Sequence, residues 1–139
     1  MEKLLVFGFL AAYIFLVGFG SFLQKFMLKN LTPFQLEFLT AIGMMIIAVP
    51  VLLFQQRNLS IPLSDLPAGA LVGLLFAGGS FMYILAVSRL PVGIAATVST
   101  GYIVVALVLS VLFLGEQLTL MKLIGITLTI LGIVILSLQ

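Results

Sequence analysis

Residues 4–23 read LLVFGFLAAYIFLVGFGSFL, 20 positions without a charge. As a helix rising about 1.5 Å per residue, this stretch extends about 30 Å, the thickness of a bilayer's hydrocarbon core. Gly18, Gly20 and Ser21 resemble the small residues of a cleavage site. The apolar core of a secretory signal is only about 7–15 residues long, however, so the run reads as a first membrane span. The rest of the chain repeats the pattern. Of its 139 residues 63% are hydrophobic and 7% charged, against about 45–50% and 25% in soluble domains. Too few polar groups are present to cover a water-facing surface, so lipid must solvate most of the outer faces.

Working outward, the first span occupies about 4–28 and ends near Lys25, Lys29 and Asn30, whose long cationic stems reach toward headgroups. Thr32, Pro33 and Gln35 form the signature of a capping box with proline at the first helical position, opening a second span over 33–54 with Pro50 bending its last turn. The segment 55–65, QQRNLSIPLSD, is the one long polar connection. Uncharged runs follow at 66–87 and 92–114, parted by Ser88-Arg89-Leu90-Pro91, a turn so short that these two helices must be antiparallel neighbours. After Gly115-Glu116-Gln117-Leu118, Thr119 caps a short fifth span over 120–138 that needs Lys122 to snorkel outward. A four-span reading would make one run peripheral, and none has the charged face of an interfacial helix. The fold expected is all-α, a single domain over 1–139 forming an integral membrane bundle of five transmembrane helices.

The chain has no cysteine and no histidine, which removes disulfides, thiolate and imidazole chemistry and most transition-metal sites, so no cofactor or metal is expected. The six basic residues are scattered singly, without the run needed to follow a nucleic-acid backbone. Five spans put the termini on opposite sides. One side then holds Lys3, Arg57 and Lys122 and the other Lys25, Lys29 and Arg89, a tie that leaves insertion without a preferred direction. One reading is that another feature sets the orientation. The sharper one is dual topology, with two oppositely inserted copies paired about an axis in the membrane plane.

Several stretches resemble the EamA-type repeat of the drug/metabolite transporter superfamily: Gly20-Ser21 with Lys25, Leu31-Thr32-Pro33-Phe34, Leu114-Gly115-Glu116-Gln117-Leu118-Thr119, Leu123-Ile124-Gly125, and Leu131-Gly132-Ile133-Val134-Ile135-Leu136. Leu90-Pro91-Val92-Gly93-Ile94-Ala95, Gly101 and the seven-residue spacing of Gly125 and Gly132 are also similar to the small multidrug resistance branch. Ile103 stands where that branch's second helix-bending glycine would be, and Val17 where its essential glutamate would be, so export of cationic drugs by proton exchange is not implied. Thr40 replaces an arginine often found in EamA repeats, and Gly101-Tyr102 a frequent Glu-Pro pair. The resemblance implies half of an inverted-repeat transporter, one five-helix unit that dimerises to complete a path.

Ionisable groups inside a span are costly, about 2.5–3.5 kcal/mol at mid-helix. Lys25 reads either as a snorkelling anchor or as a cavity group meeting an anionic substrate. Glu37, in the first turns of the second span, suits the positive end of a helix dipole and could also pair with Lys25. Glu116 and Lys122 read as interfacial anchors. A neutral set comprising Ser21, Gln24, Ser80, Tyr83, Thr97, Ser99, Thr100 and Tyr102 either bonds back to its own helices or lines a polar cavity. With Lys25, these residues less Thr97 are the expected substrate cavity. Small residues let helices approach closely: Gly69, Gly73 and Ala77 are expected to pack within the chain, and Gly125 and Gly132 to form a dimer seam.

The function expected is transport of a small metabolite or lipid-linked group by alternating access between two antiparallel copies, in the inner membrane of a bacterium or archaeon. The partners are a small-molecule solute, membrane lipid and a second copy, with no nucleic acid. The rivals are one half of a heteromeric flippase and a non-transporting membrane scaffold. Without histidine or cysteine an intramembrane enzyme has a poor set of groups, and Glu37 and Glu116 lie at opposite surfaces, so no catalytic residues are expected.

Overall fold

The computed structural model describes residues 2–55 and 62–138, without the side chains of residues 2, 3 and 55. Most of the long polar connection, with Arg57, lies outside the described residues, as does the Lys3 side chain. Among the described residues every regular element is a helix: α1 Glu2–Met27, α2 Pro33–Gln55, α3 Leu66–Arg89, α4 Val92–Ser99, α5 Tyr102–Leu114 and α6 Leu120–Ser137. Five stretches among the described residues are long and apolar enough to cross a membrane, with α4 and α5 together making the fourth, Val92–Leu114. Phe, Leu, Ile and Val side chains stand exposed along every span, which water would not tolerate over such an area and lipid does. The protein is an integral, multi-pass membrane protein.

The chain divides into two compact units, Phe22–Arg89 and Met1–Ser21 with Leu90–Gln139. In the first, α2 packs against α3. Leu36, Ile84 and Val87 form its buried apolar core, and the Phe34 and Phe81 rings meet at 5.3 Å, a separation at which aromatic pairs gain dispersion energy. The start of α2 carries the capping box anticipated from its sequence: Thr32 N donates to Gln35 Oε1 at 2.9 Å, and Gln35 N to Thr32 Oγ1 at 3.3 Å. The helix then continues through Pro50 to Gln55.

In the second unit α4 packs against α6, with Ala95 buried. The fourth span is not one uninterrupted helix. At Thr100–Gly101 the hydrogen bonds tighten to an i to i−3 pattern, with Gly101 N donating to Val98 O at 3.0 Å and Val104 N to Gly101 O at 3.1 Å. Gly101 has φ −54 and ψ −20, angles open to any residue. A Cβ there would lie 3.1 Å from Val98 O and 4.0 Å from Ile133 Cδ1. The interruption is present with Ile103 in place of a second glycine. α5 ends on Gly115, the one positive-φ residue among those described, at φ 66. Its left-handed turn lets Glu116 N donate back to Ser110 O at 3.3 Å. Thr119 then caps α6, its Oγ1 accepting from Lys122 N at 3.3 Å.

The glycine stripe of α3 does not pack as expected. A Cβ on Gly69 or Gly73 would have nothing within 4 Å, and Ala77 is exposed. What is covered on α3 is the C-terminal continuation of the same face, where Ile84 and Val87 are completely buried.

Candidate functional site

The polar residues of the Phe22–Arg89 unit gather on one face of α3. Ser80, Tyr83, Ile84 and Val87 follow the i, i+3, i+4, i+7 spacing of a helical stripe, and this stripe is also the buried one. Ser80 Oγ donates to Glu37 Oε2 at 2.9 Å, so a carboxylate in the second turn of α2 is held by a hydroxyl of α3. Lys25 Nζ donates to Val87 O at 2.7 Å. Val87 lies in the last turn of α3, where carbonyls lack intrahelical partners and the helix dipole attracts a cation. The half-buried ammonium thus caps α3. The anticipated pairing of Lys25 with Glu37 is not made, because each finds a partner on α3.

Between these two links the stripe carries Tyr83. Its hydroxyl and Gln24 Oε1 are buried with no hydrogen-bond partner. Buried polar groups are satisfied in more than about nine cases in ten, and leaving one unmet costs about 1–3 kcal/mol. Both atoms belong to the one unit, where their polarity is kept at a cost in stability.

The remaining anticipated cavity residues, and Thr97 beside them, belong to the other unit, and their hydroxyls are mostly used locally. Ser21 Oγ donates to Val17 O at 2.8 Å, Thr97 Oγ1 to Gly93 O at 2.8 Å, Ser99 Oγ to Ala96 O at 2.7 Å and Thr100 Oγ1 to Thr97 O at 2.6 Å. These bonds satisfy the hydroxyls without leaving the helix. Tyr102 differs in standing out from the chain, 59% exposed. Gly125 is exposed and Gly132 half-buried, and a Cβ on either would meet nothing within 4 Å. At the far surface Lys122 Nζ lies 3.4 Å from Glu116 Oε2, an exposed pair of the kind worth about 0–1 kcal/mol.

Glu37 was absent from the cavity set read from sequence, though it left a signal as the lone carboxylate of its span. Its partner Ser80 was in that set.

The model of the EamA-like transporter family matches residues 3–138. The chain belongs to that family. It holds a single EamA domain, and the membership makes it a transporter-like membrane protein that handles a small-molecule solute. An uncharacterized protein of Methanocaldococcus jannaschii is similar to this EamA-like chain, 30% identical over 140 residues that cover all of the chain and 99% of the relative. No solved structure matches it.

Proposed function

We propose that this EamA-like chain is half of a transporter: two copies, inserted in opposite directions, pair and move a small metabolite or a lipid-linked group by alternating access. The observation that carries the reading is the single EamA domain over residues 3–138. One five-helix unit and a second copy in the opposite orientation together make an inverted pair that can rock between two open states. Two further features support the pairing. The basic residues divide three and three between the membrane sides, so insertion in both directions is equally favoured. The open α6 glycines, Gly125 and Gly132, offer a surface where two backbones can approach closely.

On this reading Gln24, Lys25, Ser80, Tyr83, Ser99, Thr100 and Tyr102, with Ser21, contribute to the path, and Glu37 joins them through Ser80. The membrane is the cytoplasmic membrane of a bacterium or archaeon. Reporters active on one side only, fused in turn to each terminus, test the proposal. Signal from both sides for each fusion is the expected result, and a single fixed orientation would sink the antiparallel homodimer.

A further inference from the structure

In the Phe22–Arg89 unit Gln24 Oε1 and Tyr83 Oη are buried without a hydrogen-bond partner, although each side chain as a whole is only half-buried. The bond from Lys25 Nζ to Val87 O, 2.7 Å long, sets the end of α1 against the last turn of α3. Gln24 is the residue before Lys25, and Tyr83 lies one turn before Val87. The two unmet groups therefore belong to one corner of the unit and come from different helices. Tyr83 stands about 5.5 residues from the middle of the span Leu66–Arg89, or about 8 Å at about 1.5 Å per residue. At that depth the bilayer offers no water to satisfy a polar group. Gly79 lies one turn below Tyr83 on its side of α3, and a Cβ there would have nothing within 4 Å. Open space thus adjoins the unmet hydroxyl, where a group from outside the chain can approach.

Charge limits what that group can be. Among the described residues, the helices of this unit hold one half-buried cation, Lys25, and one half-buried carboxylate, Glu37, while Arg89 is exposed at the end of α3. The two half-buried charges sum to zero. An occupant with a net charge adds one that nothing balances, which is costly at membrane depth, whereas a neutral occupant keeps the balance. Hydrogen bonding narrows the class further. The amide oxygen of Gln24 only accepts, and the phenol of Tyr83 both donates and accepts. A complementary group must donate to Gln24 and accept from Tyr83. An ammonium has nothing to accept with and a carboxylate nothing to donate, so each fails on this count as well as on charge. A hydroxyl does both through a single oxygen. An amide carries its N–H and C=O on separate atoms, which suits a bridge between groups on two helices.

We propose that Gln24 Oε1 and Tyr83 Oη, beside the open backbone of Gly79, form a subsite for an uncharged amide group of the transported solute. The inference rests on the reading of these residues as part of the transport path, and it needs only one chain, so it is independent of the antiparallel pairing. The test uses the full chain and radiolabelled lactamide, with binding measured in lipid nanodiscs and flux in proteoliposomes. Lactate, 1-amino-2-propanol and propane-1,2-diol, matched in size, are the anionic, cationic and amide-free competitors. Saturable lactamide binding and protein-dependent flux are expected, resisting both charged competitors and displaced less well by the diol than by lactamide itself. Tyr83→Phe and Gln24→Met should each weaken binding about tenfold or more, since the bound amide is left with an unmet polar group. Both variants should keep the unfolding midpoint, which separates lost recognition from lost structure. Thr127→Val, whose hydroxyl bonds Leu123 O within α6, should bind as the parent does. If a charged analogue or the diol competes as well as lactamide, or if both variants bind like the parent, the subsite is overturned, while saturable flux of any analogue keeps the transport reading. If lactamide binds through Gln24 and Tyr83 but no flux is seen, the amide site stands and the transport reading falls. Absence of both binding and flux overturns both.

Discussion

The hydrogen bond from Ser80 Oγ to Glu37 Oε2, 2.9 Å long and joining α3 to α2, gives the most decisive test of how this fold is held. Hydrogen bonds between helices in membranes average about 0.6 kcal/mol in double-mutant cycles and reach about 1.7. A hydroxyl bonded to a charged partner contributes about 1.5–3 kcal/mol in soluble proteins. Glu37 makes this one bond and no ion pair among the described residues, so little else compensates for its loss. The expected coupling therefore lies at the top of the membrane range, about 1–1.7 kcal/mol. Ser80→Ala, Glu37→Gln and the double variant form the cycle, with unfolding free energies measured by steric trapping in bicelles. Ser80→Ala alone is expected to cost about 1–2 kcal/mol, because it strands a carboxyl group in an apolar span. A coupling of about 0.3 kcal/mol or less, within the error of additivity, would refute the claim that this bond ties the two helices together.

Four other outcomes follow from the same structure. Tyr83→Phe removes a hydroxyl that is buried without a partner, so it should leave stability unchanged or raise it by about 1 kcal/mol in the same unfolding assay, the reverse of the usual polar deletion. Gly115→Ala places a Cβ at φ 66 and should cost about 1–2 kcal/mol, seen as a lower midpoint of thermal unfolding in detergent. Lys25→Met withdraws the cation from Val87 O and should loosen the end of α3, raising amide hydrogen exchange there while α6 keeps its protection. Gly132→Ile meets open space within one chain, so it should leave the helical circular dichroism and monomer unfolding intact while abolishing cross-linked dimers; loss of the fold itself would show that α6 packs within the chain.

The polar interior was only partly legible in the sequence. Glu37 announces itself as a carboxylate in an apolar span, yet nothing nearby in the chain says that its partner is Ser80, 43 positions away. Ser99 and Ser80 look equivalent as serines in apolar helices, but one bonds Ala96 O of its own turn and the other crosses to α2. The difference arises from which way each helix is turned. These helices are apolar on all sides, and without an amphipathic stripe the sequence carries little information about rotation around the helix axis. The stripe of Gly69, Gly73 and Ala77 shares a helical face with the buried Ile84 and Val87 yet is itself exposed, a difference along the length of α3 that spacing does not reveal.

What the amino-acid sequence determined by itself is whatever depends on local chemistry and length. Residues 4–23 are apolar for long enough to cross hydrocarbon, and Thr32 with Gln35, Gly115 and Thr119 start and stop helices through bonds made within a few residues. Lipid imposes those spans because an unmet backbone group has no water to turn to. Only the tertiary structure decided that Lys25 caps α3, that Glu37 leans on Ser80, and that Tyr83 and Gln24 Oε1 are enclosed unmet. Each of those depends on how helices distant in sequence are rotated and set beside one another, which packing settles and apolar composition leaves open.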